Sequence, residues 1–177
     1  WGSLALGPRP SPSRIRGHNY DKNQLLYAHH ASRGWGPDCQ IEAMNTEGID
    51  AATLFPTRGL HTLAEPNMDP RLARALARAY NDWLADFCSH YLDRHIGLAC
   101  LPYGDIDAAV KEIYRVKDLN LRGIELSCSW DMEPMYHPCW EPLWQTINEV
   151  GLPLHFHTFP AMDPAKRAGL DRNSSRA

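Results

Sequence analysis

The sequence of 177 residues lacks the patterns that identify several common functional classes. No apolar run approaches the ~18 residues that a membrane-spanning helix requires. The phosphate loops G-x-G-x-x-G and G-x-x-x-x-G-K-[ST] do not occur, and neither does the nucleophile motif G-x-S-x-G. These absences argue against a membrane protein, a nucleotide-binding open sheet and a serine hydrolase.

The sequence also lacks a strong excess of either sign of charge and the cysteine spacing of a paired set. The 18 basic residues are interspersed among 21 acidic ones for a formal net charge of -3, which leaves no electrostatic footprint for nucleic acid or an anionic membrane. The first residues do not have the charged and apolar regions of a secretory signal. Five cysteines without C-x-x-C spacing favour reduced thiols. We therefore expect a cytoplasmic protein whose partner is a small molecule.

What the sequence does contain is an alternation of apolar segments with segments of helical periodicity. Helices are predicted over 39–47, 70–90, 105–116 and 138–150. Strands are predicted over 49–55, 95–101, 121–126 and 152–157. Continuously apolar strands belong to parallel sheets that helices cover on both faces, and such sheets carry functional residues at the carboxyl ends of their strands.

Capping residues and tryptophans refine the predicted helices. Asn67 or Asp69 is placed to cap the long helix, with a proline in its first turn, and Asp105 is placed to cap the next one. Three tryptophans follow helical spacing and are expected in the core: Trp83, Trp140 and Trp144.

The last predicted strand ends in His155-Phe156-His157. A strand's side-chain period of two puts both imidazoles on one face, which is how a strand tip presents metal ligands. An isolated His-x-His is more often a pair of core or edge histidines bonded to backbone carbonyls. Both interpretations stay open on these residues alone.

Side chains after the other strands are candidates for substrate contact. Arg58 is suited to clamp a substrate carboxylate, with an exposed loop arginine as the simpler alternative. Trp130 is placed to form a wall of a substrate pocket, although aromatic packing within the loop explains it equally well. Asp131 and Glu133 are candidate acid–base groups, whereas most loop carboxylates are only solvated.

Five segments then follow one another in a characteristic order, over 42–50, 54–59, 80–84, 94–102 and 151–158. The series resembles the amidohydrolase-related family, the group that includes aminocarboxymuconate-semialdehyde decarboxylase. The resemblance extends over about residues 39–160. The ordered series is much more specific than any one of its segments.

The resemblance implies a (β/α)8 TIM barrel with one divalent metal, often zinc, at the carboxyl-terminal mouth of the strands. Family members carry His-x-His on the first strand, a third histidine on a middle strand, and a later histidine and aspartate. Residue by residue, only the middle-strand ligand maps onto this sequence, at His157. His155 lies one pleat deeper on the same face and is the second candidate.

The remaining family ligands have no counterpart in the sequence. His18 is solitary, and His29 and His30 are adjacent, which would point them to opposite faces of a strand. The later histidine and aspartate would lie beyond the last residue. Because a catalytic zinc keeps about three protein ligands, we expect this chain by itself to bind metal weakly and to be inactive.

The sequence therefore predicts an α/β fold, a partial TIM barrel of about four parallel strands with intervening helices over residues 39–160. An irregular arm over 1–38 precedes it, and a polar, disordered tail over 161–177 follows. Since the chain opens on Trp1 and closes without a structural element, we expect an internal piece of a longer protein. Open sheet edges predict pairing with another copy.

Two classes of function stay open. The first is a fragment of a metal-dependent enzyme, a hydrolase or a non-oxidative decarboxylase of a small carboxylated substrate. The second is a non-catalytic half-barrel module that associates with another chain. A flavodoxin-like open sheet would need a phosphate loop, which the sequence does not contain.

Overall fold

The computed structural model of the protein describes residues 24–64, 68–129 and 132–159. They fall into two compact units, divided between Ala52 and Thr53. The predicted tail over 161–177 and most of the predicted arm lie outside the described residues. The boundaries of these two segments therefore stay predictions.

Helices α1 (Ala28–Ser32) and α2 (Pro37–Glu47) lie in the first unit. Helix α2 starts two residues before the predicted position, with a proline in its first turn, where the missing N–H leaves no bond unmade. It ends at Gly48, which adopts the left-handed conformation with a φ of 70°. Helix α1 lies within the segment predicted to be irregular. The sequence does not predict this helix, because five residues are too few to show a helical period.

The second unit is built on a four-stranded sheet in the order β1-β2-β3-β4. The strands are β1 (Ala52–Leu54), β2 (His95–Ala99), β3 (Gly123–Ser129) and β4 (Leu154–Phe159). The helices are α3 (Thr57–Leu63), α4 (Pro70–Ser89), α5 (Ile106–Asp118) and α6 (Glu141–Val150), the last preceded by a 3-10 turn, Pro138–Trp140. Strand β3 pairs in parallel with both β2 and β4, as the sequence predicts.

The predicted caps hold the starts of the two long helices. Asp69 accepts a hydrogen bond from the backbone N–H of Arg71 at 2.8 Å, so Asp69 caps α4. Asp105 accepts one from the N–H of Ala108 at 3.0 Å and caps α5. No helix in the described ranges is both long enough and apolar enough to cross a membrane.

The tryptophan prediction is right for Trp140, which is buried, and wrong for Trp83, which is 43% exposed. Trp144 is half-buried and packs against the core. Helix α4 turns a face that begins with Ala73 and Ala77 towards the core. Small residues let a helix approach a sheet closely, so the bulkier stripe that contains Trp83 is left on the outer side. Helical spacing defines the faces of a helix but does not say which face is buried.

Asn81 on α4 fastens the end of β2. Its Nδ2 donates to the carbonyl of Cys100 at 2.9 Å, and its Oδ1 accepts from the N–H of the same residue at 2.9 Å. Asn81 is fully buried and also donates to Glu112 on α5 at 2.7 Å. Since Cys100 directly follows β2, this side chain extends the hydrogen bonding of the sheet at its carboxyl edge.

Candidate active site at the carboxyl edge of the sheet

Strands β3 and β4 bring four polar side chains to one face of the sheet. In the parallel register, Glu125 lies beside His155 and Ser127 lies beside His157. Residues two apart on a strand share a face, so the two histidines, the serine and the glutamate all project to the same side. His155 is half-buried against the ring of Phe55, with centroids 5.7 Å apart, and His157 is exposed nearer the carboxyl end.

The glutamate belongs to a buried polar cluster with Tyr103 and Ser127. The Tyr103 hydroxyl donates to the backbone carbonyl of Glu125 and lies 3.3 Å from its Oε2. The Ser127 hydroxyl lies 3.2 Å from Glu125 Oε1 and 3.3 Å from the carbonyl oxygen of Leu60. The sequence prediction missed this cluster, because Glu125 lies within a run that was interpreted as continuously apolar.

The hydroxyl protons of this cluster are shared among more acceptors than they can satisfy. The Tyr103 hydroxyl donates to the backbone carbonyl of Glu125, and the Ser127 hydroxyl lies within reach of both Glu125 Oε1 and the Leu60 carbonyl. Each hydroxyl has a single proton to donate. The carboxyl group of Glu125 is therefore only partly hydrogen-bonded.

Burial has the largest influence on the acidity of the cluster. It raises the pKa of Glu125 from its ordinary value of 4.5 to about 7, although the hydrogen bonds from Ser127 and Tyr103 lower it. Burial, and then the nearby Glu125, hold the pKa values of Cys100 and Tyr103 well above their usual ranges. The Cys100 thiol therefore stays protonated and is no candidate nucleophile.

Helix α3 covers this edge of the sheet. Its residue Leu60 accepts the bond from Ser127, and a Cβ atom at Gly59 would lie 3.1 Å from Cys100 Sγ. The helix therefore approaches the end of β2 closely at a glycine. Arg58 lies in the first turn of α3 and not in a loop, which corrects the sequence prediction; its side chain lies outside the described part of the structure. A helix of seven residues escaped detection because it is too short to show a period.

The other predicted site residues follow β3. Trp130 and Asp131 lie outside the described residues, so their assignments stay predictions. Glu133 is exposed, and its backbone carbonyl accepts a hydrogen bond from Trp140 Nε1 at 3.2 Å. The structure therefore shows a structural contact for Glu133 and leaves its acid–base role a prediction.

A divalent metal fits this edge only in part. An exposed imidazole at a strand end is a suitable ligand, and His157 provides one. Over the described ranges, however, the histidines of β4 form no group of three or more potential ligands with other side chains. A catalytic metal requires about three protein ligands, so the described residues provide an incomplete set.

Most of the chain is similar to known proteins. Residues 25–172 match the amidohydrolase family. The γ-resorcylate decarboxylase of Rhizobium sp. (strain MTP-10005) is 31% identical over 129 residues, which cover 68% of this chain and 38% of that protein. The γ-resorcylate decarboxylase of Rhodococcus jostii (strain RHA1) is 34% identical over 100 residues, 50% of this chain and 30% of that protein.

Solved structures give the same relationship. A 2,6-dihydroxybenzoate decarboxylase complexed with 2,6-dihydroxybenzoate is 29% identical, with a TM-score of 0.57 over 67% of this chain and 38% of that chain. A 5-carboxyvanillate decarboxylase from Novosphingobium aromaticivorans, with bound manganese, is 33% identical. Its TM-score is 0.61 over 75% of this chain and 38% of that chain. The predicted partial barrel is confirmed by this likeness. The chain spans 30% to 38% of the length of these relatives.

Proposed function

The chain belongs to the amidohydrolase family, and from this premise we propose that it forms part of the active site of a metal-dependent decarboxylase. The proposed substrate is a small hydroxylated aromatic acid, and His157 is the proposed metal ligand. Two relatives, the γ-resorcylate decarboxylase at 31% identity and the 5-carboxyvanillate decarboxylase at 33% identity, are decarboxylases of such acids. They favour decarboxylation over hydrolysis, the other reaction that the family resemblance implies.

The observation that carries the proposal is the position of His157. It lies on β4 in register with Ser127 of β3, at the edge where parallel α/β sheets bind their ligands. It is exposed, whereas His155 is half-buried one pleat deeper. An imidazole that must reach a metal needs this accessible level, so His157 is the ligand and His155 supports the layer beneath it.

The proposed metal is a single divalent cation. The family resemblance implies zinc, and the related 5-carboxyvanillate decarboxylase was solved with manganese, so both ions belong in the test. Such a cation polarises a substrate oxygen and stabilises developing negative charge. The described residues provide one of the proposed ligands, His157. The other ligands are proposed to come from parts of the protein outside the described residues.

The chain's own residues provide the surroundings of the substrate. A protonated Glu125 does not repel an anionic acid, whereas an ionised one would oppose its binding. Arg58, in the first turn of α3 at the same edge, is proposed to pair with the substrate carboxylate. Trp130 remains the proposed pocket wall, and Asp131 and Glu133 remain the proposed acid–base candidates.

The decisive experiment uses the protein encoded by the complete reading frame around this segment. We expect carbon dioxide release from 2,6-dihydroxybenzoate in the presence of Zn²⁺ or Mn²⁺. His157→Ala should lower both the bound metal and the decarboxylation rate by at least about 100-fold, because a ligand is removed. His90→Ala, which replaces an exposed histidine at the end of α4, is the matched control and should leave both unchanged.

Two results would contradict the proposal. The first is full activity and metal content in His157→Ala, which would remove His157 from the site. The second is a complete reading frame that ends at these 177 residues and yields no metal-dependent turnover. For the 177-residue chain alone we expect no turnover, because its described residues provide an incomplete ligand set.

Exposed aromatic rings at the two sheet edges favour a second candidate, a half-barrel that associates with another chain. Strands β1 and β4 are the outer strands, and Phe55 and Phe156 beside or within them are 44% and 57% exposed. Apolar edges of this kind pair with other chains. Sedimentation velocity of the 177-residue chain should show a dimer that Phe156→Lys weakens; a monomer at all concentrations would exclude this candidate.

A further inference from the structure

Two histidines and a glutamate meet in the first unit, and the proposed function uses none of them. Helix α1 carries His29 and His30, and helix α2 carries Glu42. The Nε2 atoms of His29 and His30 lie 3.9 Å and 3.2 Å from Glu42 Oε2. The two imidazole rings are 3.7 Å apart, and one potential ligand atom from each residue lies within 4.8 Å of the others.

This arrangement corrects the sequence prediction, in which the adjacent histidines point to opposite faces. That prediction holds for a strand, where neighbouring side chains alternate. In a helix, neighbouring residues are separated by about 100° around the axis, so their rings are able to converge. Since helix α1 was not predicted, the contact of its histidines with Glu42 was not predicted either.

His30 supplies an independent sign that the cluster is built for a ligand. It is 3% exposed, and neither of its ring nitrogens has a hydrogen-bond partner among the described residues. Its Nε2 lies close to Glu42 Oε2, but the pair lacks hydrogen-bond geometry. The rings of Tyr27 and Trp35 pack against it at centroid distances of 5.5 Å and 5.4 Å, so its orientation is set. Buried polar atoms rarely go unpaired, and a cation beside Nε2 would satisfy this one.

We propose that His29, His30 and Glu42 bind a divalent transition-metal cation of the zinc type. Two imidazoles and a carboxylate form a donor set that zinc prefers. Ligand bonds of about 2.1 Å at tetrahedral angles place donor atoms roughly 3.4 Å apart. The separations of 3.2 Å and 3.9 Å at Glu42 bracket that value. Water completes the coordination.

Arg33 fixes the carboxylate of this site. It donates to both oxygens of Glu42, at 2.7 Å and 2.9 Å. Each carboxylate oxygen has a further lone pair, so Oε2 is able to accept Arg33 and ligate a cation together. The Arg33 hydrogen bond also holds the pKa of Glu42 below its ordinary value, with smaller contributions from the two histidines. The carboxylate is therefore ionised and held in a fixed orientation in the metal-free protein.

A bound cation would join α1 to α2. Helix α1 has five residues and is too short to be stable by itself, so an external link is of most use there. The site is structural in this role, because its ligands come from two helices and not from a strand end. It is independent of the metal proposed at His157, which lies in the other unit.

The test measures zinc binding to the 177-residue chain by competition with a chromophoric chelator. In contrast to the weak metal binding that the sequence alone predicts, we expect one tightly bound Zn²⁺ that raises the midpoint of thermal unfolding. His29→Gln and Glu42→Gln should each weaken zinc binding by at least about 10- to 100-fold and abolish the shift of the midpoint. Both side chains are exposed, His29 by 60% and Glu42 by 45%, so chelator-treated variants should keep the wild-type circular dichroism spectrum.

Two controls separate this site from other histidines. His90→Gln removes an exposed histidine, and His157→Ala removes the proposed catalytic ligand; neither should change the zinc affinity of the cluster. In wild-type protein, zinc should shift the imidazole resonances of His29 and His30, a readout that needs no variant. Zinc binding that survives His29→Gln and Glu42→Gln overturns the proposal, as does the absence of zinc binding or a loss confined to His157→Ala.

Discussion

Strand β3 presents an apolar face on one side of the sheet and a polar face on the other. Ile124 and Leu126 are fully buried in one core cluster with the helix residues Ile113 and Leu143. Glu125, between them in the chain, is fully buried on the opposite face, beside Tyr103 and Ser127. The same strand is therefore buried on both sides by different chemistry.

The difference separates what stabilises the fold from what serves a site. Burial of apolar side chains contributes roughly 25 cal/mol per Å², without any directional requirement. A buried carboxyl contributes nothing of this kind and costs free energy unless it is protonated or fully hydrogen-bonded. The apolar face is therefore replaceable by any well-packed set of residues, whereas the polar face depends on particular atoms and a particular proton.

The apolar face should give the largest loss of stability. Leu126→Ala removes a fully buried side chain, and we expect the free energy of unfolding to fall by about 2–5 kcal/mol, because both burial and packing are lost. Urea denaturation measures this. Leu92→Ala, at an exposed position, is the matched control and should stay within about 0.5 kcal/mol of wild type. Equal losses in the two variants would contradict the comparison.

The polar face should give the next largest effect, as a dependence of stability on pH. Folding raises the pKa of Glu125 to about 7, so between pH 4.5 and 7 the unfolded chain loses a proton that the folded chain keeps. The contribution is complete below pH 4.5 and is lost as the pH rises through 7, by about 3 kcal/mol.

Glu125→Gln isolates this dependence in metal-free protein. The neutral amide keeps a donor towards Ser127 and does not titrate. We therefore expect the variant to match wild type near pH 5 and to exceed its free energy of unfolding by about 3 kcal/mol at pH 8. Parallel stability curves for the two proteins across this range would show that Glu125 is ionised in the fold at all of these pH values.

The same contrast explains which parts of the fold could be predicted. The four strands follow from continuous apolar runs and the long helices from helical periodicity, and the caps at Asp69 and Asp105 follow from local hydrogen bonding. Glu125 could not be assigned, because a single acidic residue in an apolar run does not show which face it occupies or which residues cover it. Its partner Tyr103 comes from the loop after β2, a contact that only the tertiary structure creates.

The candidate site was predictable to the same limited extent. Strand order and the family resemblance together point to His157, because a motif at a strand end is a local property. Helices α1 and α3 are too short to show a period, so neither the convergence of His29 and His30 nor the helical position of Arg58 was foreseeable.

A smaller effect should follow from Ser127→Ala. The variant loses the hydroxyl that links Glu125 to the Leu60 carbonyl, and we expect a loss of about 1–2 kcal/mol in the free energy of unfolding. Because the Ser127 hydrogen bond lowers the pKa of Glu125, that pKa should rise further in the variant. Carbon-13 NMR of the Glu125 carboxyl measures it directly, and a fall in this pKa would contradict the hydrogen-bond assignment.

The smallest effect should come from helix α4, where a buried face and an exposed face again lie side by side. Leu84 is 1% exposed and Trp83, its neighbour in the chain, is 43% exposed. We expect Trp83→Gln to change the free energy of unfolding by less than about 0.5 kcal/mol, and Leu84→Ala to lower it by about 2–5 kcal/mol. Urea denaturation of dilute protein measures both. A large loss for Trp83→Gln would mean that another surface covers this tryptophan in solution, and sedimentation velocity of the variant would then show whether that surface belongs to a second copy of the chain.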